Sequence, residues 1–317
     1  MNPTSPQAAA ALALVEKLQR RFLDALGPTQ FAPHEWLRDE GRHGGGRRYA
    51  CAETDRFNRA SLNVSCVHYE DEPQRTVASA TALSTILHPA HPLAPSVHLH
   101  ASYTELRDGS GTWRLMADLN PSHDDLGDKE RFEAALLPVL GPELFAQARA
   151  QGDRYFFIPA AGRQRGITHF YLEAFATADL ERVERFVSTV ISSWVALLER
   201  PRAVATAQEG EEQLAYHSLY FFQVLTLDRG TTSGLLVHDQ NDLGVMGSLP
   251  SWVNRPLLAS WEPRMPAPQD ELLRSLLAAL PDAQPSHVTD DVRLALAKIV
   301  RSHYRAHPEA MELQAAR

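Results

Sequence analysis

The chain has 317 residues, 44% of them apolar and 22% charged, which is the composition of a globular protein with an ample buried core. Its formal net charge of −8 argues against a nucleic-acid-binding surface, because such a surface needs a basic face. No apolar run approaches the ~18 residues of a membrane span, and the N-terminus lacks the features of a signal peptide. We therefore expect a cytoplasmic protein without a membrane span or a nucleic-acid partner.

The N-terminal part of the chain is predicted to be one helix followed by an irregular segment. Residues 7–26 place apolar side chains at helical spacing, and a Gly-Pro pair ends the helix. A triple glycine at residues 44–46, flanked by arginines, either cradles an anion through its backbone N–H groups or is a flexible loop. Cys51 and Cys66 lie in strand-like segments and are expected to be buried free thiols, with a single disulfide as the alternative.

The middle of the chain is rich in strands. Between residues 48 and 118, strand-like runs are separated by turn residues without crossover helices, which indicates antiparallel hairpins. The elements predicted after them are helix at 128–150, broken near Pro138 and the Gly-Pro pair at 141–142, strands at 154–159 and 166–175, and a helix at 179–199. A hairpin turning at 228–230 and helices at 269–280 and 290–307 are predicted to follow. The pattern predicts an α+β fold, a large antiparallel β-sheet flanked by helices on both faces, with one domain at 1–282 and a C-terminal helical extension at 283–317.

Four histidines lie in the proline-punctuated stretch 84–103: His88, His91, His98 and His100. His98 and His100 are two residues apart, so on a strand they share one face. If the two runs around the prolines pair, His88 comes near His98, and converging imidazoles carry a proton or bind a metal. The alternative is that these are histidines at the rim of an exposed hairpin.

Several motifs occur in a fixed order along the chain. They are S-x-x-x-H-P-x-x-P-x-x-P-x-x-H from Ser84 to His98, Asp118-Leu119-Asn120-Pro121, D-R-Y-F followed by R-Q-R-G-I within residues 153–167, L-D-R-G-T-T-S-G-L at 227–235, and Ser248-Leu249-Pro250. In this order, and over about residues 30–280, the chain resembles the oxygen-dependent coproporphyrinogen III oxidase family.

The resemblance implies a broad antiparallel sheet between helices, a homodimer, and oxidative decarboxylation of two propionates of a porphyrinogen by O₂ without an organic cofactor. It implies that Ser84 contacts substrate and that His98 is the catalytic, proton-transferring histidine. His88 is implied as a second catalytic histidine and a metal ligand.

The chain departs from the family at most of its cationic positions. Ser102 stands where the family has an arginine, Ala160-Ala161 replaces His-Arg, and the arginine-containing runs read Y-H-S-L at 216–219 and H-D-Q at 238–240. A tetracarboxylate needs cations in a partly dry cleft, because an unpaired carboxylate is costly to desolvate. We therefore expect a less acidic substrate, such as a small electron-rich molecule or a modified peptide.

The remaining candidate residues follow from this interpretation. His100, Ser102 and Asp118 are predicted to contact substrate, and Arg165 is predicted to clamp a carboxylate through two parallel hydrogen bonds. His88, His98 and Glu133 are predicted as metal ligands, since two histidines and one carboxylate suit Fe(II) or another divalent transition metal. The alternatives are that Glu133 is a solvated helix residue and that another side chain completes the set: His91, His100, His123, Asp118, Asp124 or His169.

Three functions remain open at this point. The first is an O₂-dependent oxidoreductase that has changed its substrate. The second is a non-catalytic relative that binds a tetrapyrrole or a partner protein. The third is a true coproporphyrinogen III oxidase whose cations come from other positions, namely Arg47, Arg48, Arg107, Arg114 or Arg163.

Overall fold

The structure, a computed structural model, describes residues 3–123, 125–177, 179–237 and 239–314. The strands are β1 (Ala32–Leu37), β2 (Gly44–Ala52), β3 (Phe57–His68), β4 (Val77–Pro89), β5 (Ser96–Leu106), β6 (Gly111–Asn120), β7 (Phe157–Ile158), β8 (Arg163–Gln164), β9 (Thr168–Phe175), β10 (Trp252–Val253) and β11 (Ser286–His287). The helices are α1 (Pro6–Leu26), α2 (Leu126–Leu140), α3 (Pro142–Tyr155), α4 (Leu180–Leu198), α5 (Ala207–Thr226), α6 (Arg229–Val237), α7 (Asp242–Val245), α8 (Arg255–Ala259), α9 (Gln269–Ala279) and α10 (Asp290–Ala306).

One seven-stranded antiparallel sheet organises the fold, in the order β1-β2-β3-β4-β5-β6-β9. Its apolar face, which includes Leu99, Leu119 and Phe170, packs against α1, α2 and α4 in a large buried cluster. The opposite side carries a second cluster, in which Ile86 packs against α5, α9 and α10. The predicted α+β fold with helices on both faces is therefore confirmed.

The triple glycine is part of the sheet, so both predictions made for it are wrong. It begins β2 and pairs with β1 and β3. A Cβ at Gly45 would lie 2.2 Å from the backbone oxygen of Trp36, and a Cβ at Gly46 would lie 2.6 Å from the indole nitrogen of the same residue. Glycine is required here because neighbouring backbone and the Trp36 ring approach too closely for a side chain.

The predicted late hairpin is also wrong, because residues 207–237 form the helices α5 and α6. Thr206 and Glu209 make a capping box that starts α5, and every residue from 216 to 226 is buried. A run that is apolar on all sides has no periodicity to distinguish a strand from a buried helix. Asp228 lies at the start of α6, where its carboxylate accepts hydrogen bonds from the backbone N–H groups of Gly230 and Thr231.

The remaining elements differ less from expectation. Of the strand predicted at 154–159, residues 154–155 are the end of α3, and Phe157–Ile158 form the short β7. Thr289 caps α10, with its side chain accepting a hydrogen bond from the Val292 N–H group, as the sequence suggests. Leu296, Val300 and Tyr304 of α10 are in the same buried cluster as α5 and α9, while the division at residue 282 stays a prediction.

Two further observations concern the cysteines and the helices. Cys51 and Cys66 are buried and unbridged, as predicted. Within the described ranges, no helix combines the length and the apolar character needed to cross a membrane.

We expect Gly152→Ala to lower the free energy of unfolding by about 1–3 kcal/mol, because α3 lies directly on the backbone of β9. A Cβ at Gly152 would be 2.7 Å from the carbonyl of His169. The matched control is Gly210→Ala in α5, where no atom lies within 4 Å of the added Cβ. It should stabilise the helix by about 0.5–1 kcal/mol. Urea unfolding of both variants tests the pair, and equal effects would contradict this packing.

Candidate active site

The centre of the site is a pair formed by His98 and Asp118 on neighbouring strands. The His98 Nδ1 atom lies 2.6 Å from Asp118 Oδ1, and the two residues are directly opposite in the β5–β6 register. Asp118 is fully buried and also accepts hydrogen bonds of 2.6 Å from Arg165 and Asn120. The adjacent Arg165 and His98 hold the pKa of Asp118 well below its usual range, against the effect of burial.

The ionised Asp118 determines the tautomer of His98. A carboxylate can only accept, so the Nδ1 atom of His98 carries the proton. The Nε2 atom of the neutral ring is then a proton acceptor, and the side chain is 17% exposed. No hydrogen bond within the described part of the chain occupies this Nε2 atom. The arrangement can therefore take a proton from a bound molecule.

Arg165 is held in place rather than free to clamp a ligand. Its guanidinium lies over the rings of Phe156 and Tyr220, with its central carbon 4.7 Å and 4.8 Å from their centroids. Its Nη2 atom pairs with Asp118, and the residue is 4% exposed. Arg165 and Asp118 pair with each other beneath the site, and the substrate contacts predicted for them stay predictions.

Both ring nitrogens of His88 are in contact with polar atoms of the protein. Its Nε2 atom lies 3.2 Å from the Ser248 carbonyl oxygen, which can only accept, and its Nδ1 atom lies 3.0 Å from the Ser96 hydroxyl. The ring is fully buried, and burial holds its pKa well below the usual value. His88 packs against the Tyr220 ring, and the Arg165 guanidinium lies between the rings of Tyr220 and Phe156. Phe156 in turn packs against His98, so His88 and His98 are separated by these three side chains.

The predicted metal set of His88, His98 and Glu133 is not assembled. Both ring nitrogens of His88 are already engaged in the protein. Glu133 accepts a hydrogen bond from the Thr168 hydroxyl. Thr168 is the first residue of β9, and its side chain lies on the opposite face of the sheet from that of His169. Since His169 is in register with Asp118, Glu133 lies across the sheet from His98. These residues do not fit a shared metal ion, and we derive no chemical step from one.

The alternative ligands do not complete the set either. His91 lies 3.1 Å from the Ala203 carbonyl oxygen, and His123 pairs with Glu212. His100 stands beside His98, but burial lowers its pKa to about 3, so it is neutral. Asp124 lies outside the described residues, as does His238 of the H-D-Q segment.

The described residues bring three possible metal ligands within 4.8 Å of one another at a different place, His43, Asp71 and Glu72. Here the His43 ring lies between carboxylates, with Nδ1 2.6 Å from Asp39 and Nε2 3.0 Å from Asp71. Arg42 also donates to Asp71. With cations already pairing these acids, the group is an ion-pair network.

We expect His43 to stabilise the fold most below neutral pH. The hydrogen bond to Asp39 raises the pKa of His43 in the folded state above the ordinary histidine value of 6.5. Its contribution is therefore full below pH 6.5 and is lost as the pH rises through the raised pKa. Urea unfolding should show that His43→Gln costs on the order of 0.5 kcal/mol at low pH and less at high pH. The exposed His34→Gln is the control, and a cost independent of pH would contradict the network.

The sheet around His98 presents a set of partly exposed side chains that we call the polar face: Ser84, His98, His100, Ser102 and Arg114. Register places Ser84 opposite His100, and Ser102 opposite Arg114. The structure thus brings the predicted substrate contacts Ser84, His100 and Ser102 onto the same side of the sheet as His98. Arg114 is paired with Glu173 at 2.9 Å.

The other arginines considered as replacement cations lie elsewhere. Arg47 pairs with Glu35, Arg107 donates to the Glu72 carbonyl, Arg163 donates to the Gln164 carbonyl, and Arg48 lies near Gly247. Arg48 is on the same side of the sheet as Ser84, two strands away, and its guanidinium extends to Gly247. Of the five arginines, Arg114 alone lies on the strands next to His98, β4 and β6.

The sequence reasoning missed another histidine–carboxylate pair that lies beside the site, formed by His169 and Asp153. His169 Nδ1 lies 2.8 Å from Asp153, and the ring stacks on Phe156 at 5.4 Å. Asp153 and Phe156 are both in the D-R-Y-F motif, which was a usable signal for their place beside the site. His169 is 2% exposed and flanks Asp118 on the side opposite to His98.

Comparisons with known proteins agree with the order of motifs. Residues 10–279 match the family described as coproporphyrinogen III oxidase. The chain is 28% identical over 282 residues to the mitochondrial oxygen-dependent coproporphyrinogen-III oxidase of Homo sapiens, covering 78% of this chain and 60% of that protein. The corresponding Rattus norvegicus protein is 26% identical over 283 residues, covering 80% and 62%.

A bacterial relative is matched over more of its length. The oxygen-dependent coproporphyrinogen-III oxidase of Prochlorococcus marinus (strain MIT 9313) is 28% identical over 291 residues, covering 77% of this chain and 79% of that protein. By contrast, the chain spans less than two thirds of the two mammalian relatives. Because the family match includes all seven strands and the residues around His98, the chain belongs to the coproporphyrinogen III oxidase family.

Proposed function

We propose that the protein is an O₂-dependent oxidase in which His98 accepts a proton from a substrate with fewer carboxylates than coproporphyrinogen III. The names of the relatives support the use of O₂. The paired His98 and Asp118 support the proton transfer. The substrate class is a small electron-rich molecule or a modified peptide, and a homodimer and a cytoplasmic location stay predictions.

Oxidative decarboxylation of a propionate arm to a vinyl group defines what the site has to do. The arm loses CO₂, one proton and two electrons, and O₂ takes these two electrons, this proton and a second proton from solvent to become H₂O₂. His98 Nε2 would accept the proton lost from the arm, while Asp118 stabilises the imidazolium that forms. The electrons leave the electron-rich substrate itself, so the residues present need to orient the arm and move the proton.

The proposed substrate class rests on the small number of cationic side chains on the polar face. In β4, β5, β6 and β9, which surround His98, Arg114 is the single cationic residue directed to this side, and Glu173 offsets it. Arg165 is offset by Asp118 in the same way. Each carboxylate that enters without a cation costs several kcal/mol to desolvate. A substrate with one carboxylate arm, oriented by the Ser84 and Ser102 hydroxyls, therefore fits the few cations near His98 better than a substrate with four carboxylate arms.

A true coproporphyrinogen III oxidase is the second candidate, and the family match over residues 10–279 favours it. The serine-to-histidine motif from Ser84 to His98 is intact. In that case the carboxylates of coproporphyrinogen III would pair with Arg114 and with cations outside the polar face.

The experiment that tests the proposal uses a pyrrole with a single propionate arm under air. O₂ uptake, H₂O₂ and CO₂ are measured together, since the reaction forms H₂O₂ and CO₂ in equal amounts. We expect consumption of O₂ with matched release of CO₂. Absence of O₂ uptake and of CO₂ release with this substrate would contradict the proposed function.

A further inference from the structure

Three arginines are buried together at the junction between the sheet and the C-terminal helix α10. Arg48 of β2 and Arg59 of β3 are each 8% exposed, and Arg293 of α10 is 2% exposed. They surround residues 247–249, which follow α7. Arg48 is in register with Asn63 and, through it, with Ser84, so the group lies on the same side of the sheet as His98 but two strands away from Ser84. Arg293 lies beyond residue 279, where the family match ends.

Two of the three guanidiniums are partly satisfied by backbone carbonyls. Arg59 Nε donates to the Gly247 oxygen at 3.2 Å, and Arg293 Nη2 donates to the Leu249 oxygen at 3.1 Å. Asp290 is the neighbouring acid, 3.0 Å from Arg293 and 3.8 Å from Arg59. Its side chain is 63% exposed, so part of its charge is screened by water.

The Arg48 guanidinium donates no hydrogen bond to a backbone carbonyl within the part of the chain that the structure describes. Its Nε atom is buried without a hydrogen-bond partner, as is the Nε atom of Arg293. One of its Nη atoms would lie 3.8 Å from a Cβ at Gly247, so the guanidinium extends to the same turn that Arg59 contacts. An ion pair for Arg48 is absent from the described residues.

The charges in this group do not balance. Three guanidiniums face Asp290, with the exposed Glu53 as a second, more distant acid. Burial and the repulsion from Arg59 lower the pKa of Arg48, and the same two causes lower the pKa of Arg293 to about 10. A buried cation without a partner costs several kcal/mol, whereas an anion between guanidiniums would remove that cost.

We propose that Arg48, Arg59 and Arg293 form a binding site for a small oxyanion of the size of phosphate. Their side chains come from three different elements, which suits an anion that accepts hydrogen bonds on several sides. The site opens to solvent at the exposed Asp290. Because α10 contributes Arg293 and the positive end of its dipole, the bound anion joins the C-terminal helix to the sheet.

The test is calorimetric titration of the full chain with inorganic phosphate at constant ionic strength, using a matched pair of variants. Arg48→Gln removes the unpartnered guanidinium. Arg47→Gln makes the same change one residue earlier on β2, where the exposed side chain pairs with Glu35. We expect saturable binding to the wild type and to Arg47→Gln, and at least tenfold weaker binding to Arg48→Gln.

Thermal unfolding supplies a second measurement that does not depend on binding heat. Phosphate should raise the melting temperature of the wild type and of Arg47→Gln in a concentration-dependent way, with little effect on Arg48→Gln. Without phosphate, Arg48→Gln should be at least as stable as the wild type, because a buried unpaired charge has been removed. Equal phosphate effects on the two variants, or no saturable binding to the wild type, would overturn the proposal.

Discussion

Asp118→Ala is expected to lower the free energy of unfolding by about 3–5 kcal/mol, because it leaves the Arg165 guanidinium buried without its counter-charge. Asp118 is completely buried and Arg165 is 4% exposed, so water cannot replace the lost carboxylate. The same change removes the hydrogen-bond acceptor of His98 and of Asn120. Urea unfolding at neutral pH measures the effect.

The double variant Asp118→Ala/Arg165→Met separates the ion pair from general packing. Removing both charges should recover a large part of the loss, since neither group is then left unpaired. The pKa of Asp118 is lowered in the folded state, so its contribution is present above pH 3.8 and is lost as the pH falls further. A loss below about 1 kcal/mol for Asp118→Ala, or no recovery in the double variant, would contradict the buried pair.

His98→Gln is expected to slow turnover of the single-arm pyrrole by about 10²–10⁴-fold, because the proton acceptor is lost while the side chain keeps a similar size. The fold should remain, since the His98 side chain is partly exposed and glutamine can still donate to Asp118. The control is His34→Gln on the exposed strand β1, which should retain the wild-type rate. Turnover of His98→Gln close to that of the wild type would exclude His98 as the proton acceptor.

The sheet could be predicted because its signals are local. Alternation of apolar and polar residues in β4, β5 and β6 predicts which side chains share a face, and short turns predict antiparallel neighbours. The two-residue spacing of His98 and His100 therefore places both on the polar face. The serine-to-histidine motif marks the same strands independently of their periodicity.

The rest of the site depends on contacts between distant parts of the chain. The partner of His88 is the Ser248 carbonyl, 160 residues away, and nothing in the spacing of the histidines predicts this contact. Arg165 is 47 residues from Asp118. The sequence predicts Glu133 near the histidines, but which face of the sheet a helix covers depends on tertiary packing. α5 was missed because it is buried on all sides.

The most direct test of the substrate class is to incubate the protein with coproporphyrinogen III under air and to separate the products by chromatography. The Prochlorococcus marinus relative serves as the positive control. Because the two guanidiniums beside His98 are already paired with acids, we expect this chain to form no vinyl product under conditions in which the relative does. Formation of a monovinyl or divinyl porphyrinogen at a comparable rate would contradict the account.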